Sequence, residues 1–271
     1  MITKKQIAQQ KKEGLAVQNG RRIGDAVKKY VRLCLKKLWS PEQIAGTLRL
    51  RKKGTPAQLV SVKWIYNFIR QDKKAKGTLW TYLRCQKIRR KKYGTGLSKR
   101  GTIPGRVDIS ERPKMVKKRI RFGDWEGDTI IGAGHHQAII SLVDRMTRYA
   151  ILIKVNTKKA TVVTPAIIRR LLRFRAKNRT ITFDNGKEFS HHKPIKNKLK
   201  VDVYFARPYA SYERGSNENT NGLVRQCFPK KTSFAIITKR ALKKFENLLN
   251  NRPRKCIGFR TPAEMLKQSI K

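Results

Sequence analysis

The chain has 271 residues, of which 66 are Lys or Arg and 17 are Asp or Glu, giving a formal net charge of +49. This length admits one large domain or two modest ones, and a 39% hydrophobic content excludes a wholly disordered chain. So large a positive excess repels itself unless a polyanion lies against it, which makes nucleic acid the expected partner and leaves the chemistry open.

The cysteines Cys34, Cys85, Cys227 and Cys256 form no C-x-x-C pair and read as thiols of a reducing cytoplasm. The histidines fall in two adjacent pairs, His135-His136 and His191-His192, without the spacing of a zinc site. No apolar run reaches the length of a membrane span, and "MITKKQIAQQKKEG" lacks the apolar stretch of a secretory signal. A soluble cytoplasmic protein, nucleoid-associated through its charge and without a membrane partner, is expected.

Residues 1–24 read as a basic N-terminal segment, and residues 25–85 as a small all-α module. From Asp25, Val27, Val31, Leu35 and Leu38 recur at helical spacing among lysines and arginines. "SPEQIAGTLRL" then carries Ser40 as N-cap, Pro41 at the first helical position and Gln43 three residues after the cap, which is a capping box. After "RKKGTPAQL", Ser61 can cap a third helix that packs Trp64, Ile65 and Phe68 and turns Lys63, Asn67 and Arg70 outward. Three short helices match a helix-turn-helix-like DNA-binding module whose last helix enters a major groove; an ordinary three-helix unit with a basic face has the same pattern. Residues 86–121 lose apolar periodicity and read as a basic linker, either an arm along phosphates or a solvated tether.

From residue 122 to 271 the pattern is that of an α/β domain. "FGDWEGDTIIGAG", "HQAIISLVDRM" and "RYAILIKVN" predict three antiparallel strands. A long helix follows in "KKATVVTPAIIRRLLRFRAK", then a strand in "RTITFDNG", a helix in "FSHHKPIKNKLK", a strand in "VDVYFA" and a helix after Gly215. Hairpin strands followed by alternating helices and strands indicate a mixed sheet flanked by helices.

The carboxylates cluster within this domain. Asp124, Glu126 and Asp128 alternate along one strand and so share a face. Asp184 ends a predicted buried strand, where ligand groups collect in open α/β sheets. Glu218 stands in "YERGSNENTNGLVRQ" on the same helical face as Asn221, Gly222 and Arg225, a low and polar wall that a bulky anion can approach. Two strand-borne aspartates and a helix-borne glutamate suit divalent magnesium, which takes a few carboxylate oxygens and completes its octahedron with water and phosphate. Two such ions would serve an in-line phosphoryl transfer, with manganese as a possible substitute.

At "FGDWEGDTIIG", "TFDNGKEF", "VYFARPYASYERGSNENTNGLVRQCFP" and "LNNRPRKCIGFRTPAEML" the chain resembles the bacterial insertion-sequence transposases of the IS-thirty type, among the DDE transposases and retroviral integrases. The resemblance implies an RNase H-like fold and a metal-binding catalytic triad of Asp128, Asp184 and Glu218. It makes Asn217, Asn221 and Arg225 supporting or DNA-contacting groups, and it assigns no role to Asp124, Glu126 or Asp144, for which structural roles are expected. Glu188 is left either supporting Asp184 or binding nothing. The implied partners are double-stranded DNA, as terminal inverted repeats and as target, and further copies of the chain assembled on it. Family members carry a helix-turn-helix upstream of the capping-box helix, and the segment before Asp25 is too short for one, so an N-terminally shortened member is expected. A catalytically silent DNA-binding regulator is the alternative that this departure favours.

Overall fold

Ser40 opens a helix as its neighbours dictate. Its hydroxyl accepts from the Gln43 amide at 3.2 Å, and its own amide donates to the Gln43 side chain at 2.9 Å, so two donors at the helix start are satisfied reciprocally. The computed structural model describes residues 23–51, 60–84, 103–135, 137–207 and 210–270. The chain divides into two units, residues 1–86 and 87–271. The basic segment before Ile23 and the linker residues 86–102 lie outside the described residues.

In the first unit α1 (Asp25–Lys36), α2 (Pro41–Leu50) and α3 (Val62–Lys74) enclose Val31, Leu35, Ile44, Ile65 and Ile69. α1 stops short of its sequence periodicity. Leu38 sits at φ 64, its amide bonded to the Leu35 carbonyl and that of Trp39 to the Cys34 carbonyl. This is a Schellman turn, so Leu38 closes the helix where its spacing predicted another turn. Ser61 caps α3 by accepting from the Trp64 amide at 3.0 Å, and Trp64 stacks on Phe68 with ring centres 5.3 Å apart. Lys63, Asn67 and Arg70 are exposed on the opposite side of that helix.

In the second unit β1 (Asp124–Ile131), β2 (Ala138–Asp144) and β3 (Ala150–Val155) are antiparallel, as their sequence predicts. β4 (Thr180–Phe183) runs parallel to β1, and β5 (Asp202–Phe205) parallel to β4, giving the five-stranded order β3-β2-β1-β4-β5. α5 (Ala160–Leu171) and α6 (His192–Leu199) bury one face of the mixed sheet over Trp125, Ile140, Leu142 and Phe183. α7 (Gly215–Cys227) and α8 (Lys239–Asn250) bury the other over Ile130, Ile139 and Leu152. Helices on both faces make this a layered α/β fold of the RNase H-like kind that the motifs imply.

Both sheet edges are covered. Asn250 on α8 accepts from the Ala150 amide and donates to the Ala150 carbonyl, each at 2.8 Å, while Glu246 accepts from the Leu152 amide at 2.7 Å. These bonds satisfy the free edge of β3, which would otherwise be a template for aggregation. At the other edge Phe205 donates to the Val107 carbonyl at 2.9 Å, and Asp108 forms a parallel bridge with Phe205. Residues 103–121 therefore belong to the α/β unit. Ile103, Ile109 and Val116 are buried, the last in the short helix α4 (Met115–Lys118), and Arg112 donates to Thr182 at 2.9 Å. The many basic residues of that stretch hide this packing from a reading of composition. α9 (Pro262–Ile270) closes the chain, with Leu266 in the core.

Candidate active site

The register of β1 and β4 brings two aspartates together. Trp125 lies opposite Ile181 and Glu126 opposite Thr182 in the parallel pair, so continuing by two residues sets Asp128 opposite Asp184. Gly127 makes this possible, because a β-carbon there would stand 2.3 Å from the Phe183 ring that packs across it. The glycine of Trp-Glu-Gly-Asp is thus required by close approach.

The two carboxylates meet across one guanidinium. Arg214 places Nη1 3.5 Å from Asp128 Oδ1 and Nη2 3.8 Å from Asp184 Oδ2, and Nη1 donates to the Gly127 carbonyl at 3.2 Å. Backbone amides orient both acids: Thr129 donates to Asp128 and Gly186 to Asp184. Burial, reinforced by the charge on Asp184, holds the Asp128 carboxyl above the ordinary aspartate range, with Arg214 opposing the shift. Glu188 lies next to Asp184, since the carboxyl groups of both side chains stand within 3.0 Å of where a Gly186 β-carbon would be.

Helix α7 is fastened to the sheet by asparagines. Asn221 donates to Asp128 Oδ2 at 2.8 Å and accepts from the Ser141 hydroxyl at 2.7 Å. Asn217 is wholly buried, bonded to Ser141 through its side chain and to Glu126 through its amide at 2.9 Å. Of the two roles left open for Asn217, supporting and DNA-contacting, its burial and bonds fit the supporting one. A short amide on the inner face of α7 spends its hydrogen bonds on β2, where an exposed one would be free for phosphate. Arg225 donates to the Ile131 carbonyl at 2.7 Å and lies over the Phe234 ring.

Glu218 sits one turn before Asn221 on the same helical face and is exposed. It does not complete a cage with the aspartates: among the described residues no three His, Cys, Asp or Glu side chains come together around a common point. Of the three expected carboxylates, Asp128 and Asp184 face one guanidinium, that of Arg214. Such a pair still fits magnesium, which needs only one or two carboxylates when water and substrate phosphate fill its other positions.

The remaining carboxylates of β1 and β2 are structural. Asp124 is held by both nitrogens of the Arg121 fork at 2.9 and 3.2 Å and by Thr180 at 2.9 Å. Glu126 is fully buried and ion-paired with Arg145. Asp144 accepts from the Gly123 amide and from the amide and hydroxyl of Thr147, and burial pushes its carboxyl up to about 6. Sequence reasoning missed Arg214, Ser141 and Arg145. Only Arg214 had a local signal, its place four residues before Glu218, while the other two act through pairings that spacing does not encode.

A mixed sheet whose neighbouring parallel strands bring two aspartates together defines an integrase core of the DDE polynucleotidyl transferase class, and residues 119–211 match the integrase core domain family. The chain is 45% identical, over 98% of its length and 81% of the relative's, to the transposase for insertion sequence element IS4351 of Bacteroides fragilis. It is 36% identical to transposase InsI for insertion sequence element IS30A of Escherichia coli strain K12, over 88% of this chain and 64% of that one. The catalytic core domain of BIV integrase resembles it over 55% of this chain and 95% of that one, at 21% identity and a TM-score of 0.42. The chain belongs to the IS-thirty family of insertion-sequence transposases.

Proposed function

We propose that Asp128, Asp184 and Glu218 are the catalytic carboxylates with which this transposase cuts DNA at the ends of its element and joins them to a target. The observation that carries the reading is the convergence of Asp128, on β1, and Asp184, just after β4, on the one guanidinium of Arg214. Asp128 and Asp184 would hold the magnesium, with Glu218 completing its surroundings once DNA is bound. A divalent ion there supplies electrostatic stabilisation of the attacking and leaving oxygens. The chain's own part is to fix the geometry: Asn221 orients Asp128, the Gly186 amide orients Asp184, and the Glu126 bond to the α7 amide sets the helix bearing Glu218 against β1.

The net charge of +49 favours the polyanionic substrate, and the exposed Lys63, Asn67 and Arg70 offer a face on α3 for reading a groove. The DNA is double-stranded, as terminal inverted repeats and target. Since an element has two ends, the working unit on DNA is a homo-oligomer, which keeps the protein with the nucleoid.

The test is a magnesium-dependent strand-cleavage and strand-transfer assay on DNA with candidate element ends, comparing the wild type with Glu218→Gln. Metal-dependent joining that disappears in the variant is expected. Undiminished joining by the variant overturns the role of Glu218. Tight binding without cleavage by the wild type, on DNA that a full-length relative cuts, makes the chain a DNA-binding regulator.

A further inference from the structure

Arg214 is placed unlike an ordinary ion-pair partner. Its fork lies 3.5 and 3.8 Å from two different carboxylates, whereas a bidentate guanidinium–carboxylate pair closes to about 2.7–2.9 Å. Its Nε is buried and has no hydrogen-bond partner among the described residues. Native structures rarely leave such a donor unsatisfied, but Arg148 and Arg170 share the feature, so it is the long contacts split between Asp128 and Asp184 that set Arg214 apart. Arg214 is the N-cap residue of α7 and gives that helix no side-chain cap. The Gly215 that follows needs no glycine for space, since a β-carbon there would meet nothing within 4 Å.

From these features we infer that Arg214 is a placeholder cation: without metal its guanidinium holds Asp128 and Asp184 together, and a divalent ion must displace it to bind between them. Two carboxylates whose side chains are only 23% and 25% exposed repel each other unless a positive charge lies between them. The arginine supplies that charge at a separation loose enough to be exchanged. The site then keeps its shape before metal arrives, and metal binds against an internal competitor. The inference rests on the assignment of Asp128 and Asp184 as metal ligands, and the experiment separates the two.

The full chain is titrated with manganese in the absence of DNA, free ion being counted by electron paramagnetic resonance, and calcium-dependent thermal unfolding is followed in parallel. Wild type, Arg214→Gln, Arg214→Lys and Asp184→Asn are compared. Arg214→Gln is expected to bind manganese roughly two- to fivefold more tightly than wild type, the factor corresponding to loss of one partly exposed ion pair. Arg214→Lys should fall between them, because a point charge cannot span both carboxylates. Calcium should raise the unfolding temperature of Arg214→Gln more than that of the wild type. If the wild type binds and Asp184→Asn does not, but both Arg214 variants bind no more tightly than wild type, the placeholder role is overturned and the metal site stands. If wild type and Arg214→Gln both fail to bind, the metal-site assignment falls with it.

Discussion

The two ends of β1 treat negative charge in opposite ways. At its start Asp124 is gripped by two nitrogens of Arg121, and Glu126, fully buried, is bonded by Arg145 and by the Asn217 amide. Further along, Asp128 shares one guanidinium with Asp184 at longer distances. The first arrangement satisfies each carboxylate separately and stiffens the sheet. The second leaves two carboxylates short of positive charge, which costs stability and prepares a place for a cation. Carboxylates that are alike in sequence and on one strand face thus serve structure or chemistry according to how completely they are paired.

The sharpest way to test this contrast is to remove one carboxylate of the second kind. Asp184→Asn should lower strand cleavage by about a thousandfold or more, while DNA affinity, which depends on the basic surface, stays near the wild-type value. Cleavage at half the wild-type rate would show that the chemistry lies elsewhere. The complementary change, Glu126→Gln, strands the buried Arg145 guanidinium and should cost about 3–5 kcal/mol in denaturant unfolding. Asp128→Asn should cost less than about 1 kcal/mol in the same measurement, because it removes one of two repelling charges. Equal losses in Glu126→Gln and Asp128→Asn would erase the distinction between the two ends.

Two smaller effects refine the picture. Gly127→Ala drives a methyl group into the Phe183 ring and should lower stability by about 1–3 kcal/mol, with a proportionate loss of activity as Asp128 shifts. Asp144, held at about 6 by burial, keeps its proton in the folded protein after the unfolded chain has released its own. Its contribution to stability is therefore full below about pH 4 and is lost as the pH rises through about 6. The unfolding temperature of wild type relative to Asp144→Asn should fall by about 5–10 °C across that interval. A flat difference would mean that Asp144 ionises in the fold as it does in the unfolded chain.

Local rules made the elements legible. The capping box at Ser40, the cap at Ser61, the short apolar run of β2 and the turn after Phe183 each depend on residues within a few positions of one another. The stop of α1 at Leu38 was not legible, since a leucine at a left-handed position conflicts with propensity and is held there by the packing of Trp39. The packing of residues 103–121 escaped for a related reason, as a few apolar anchors are diluted among basic residues and gain meaning only from the β5 edge they cover.

The sequence by itself determined the nucleic-acid partner, through net charge, and the identity of the family, through motifs long enough to be specific. The resemblance at those motifs is also what singled out Asp128, Asp184 and Glu218 among the carboxylates of the chain. What only the tertiary structure decided is which charges face one another. Asn217 was consumed by Ser141, 76 residues away, Glu126 by Arg145, and Arg214 was set between the aspartates, through contacts well beyond the reach of one element. Pairings at such separations depend on strand register and helix orientation, which are settled by burial of the whole sheet, so no short stretch of sequence carries them.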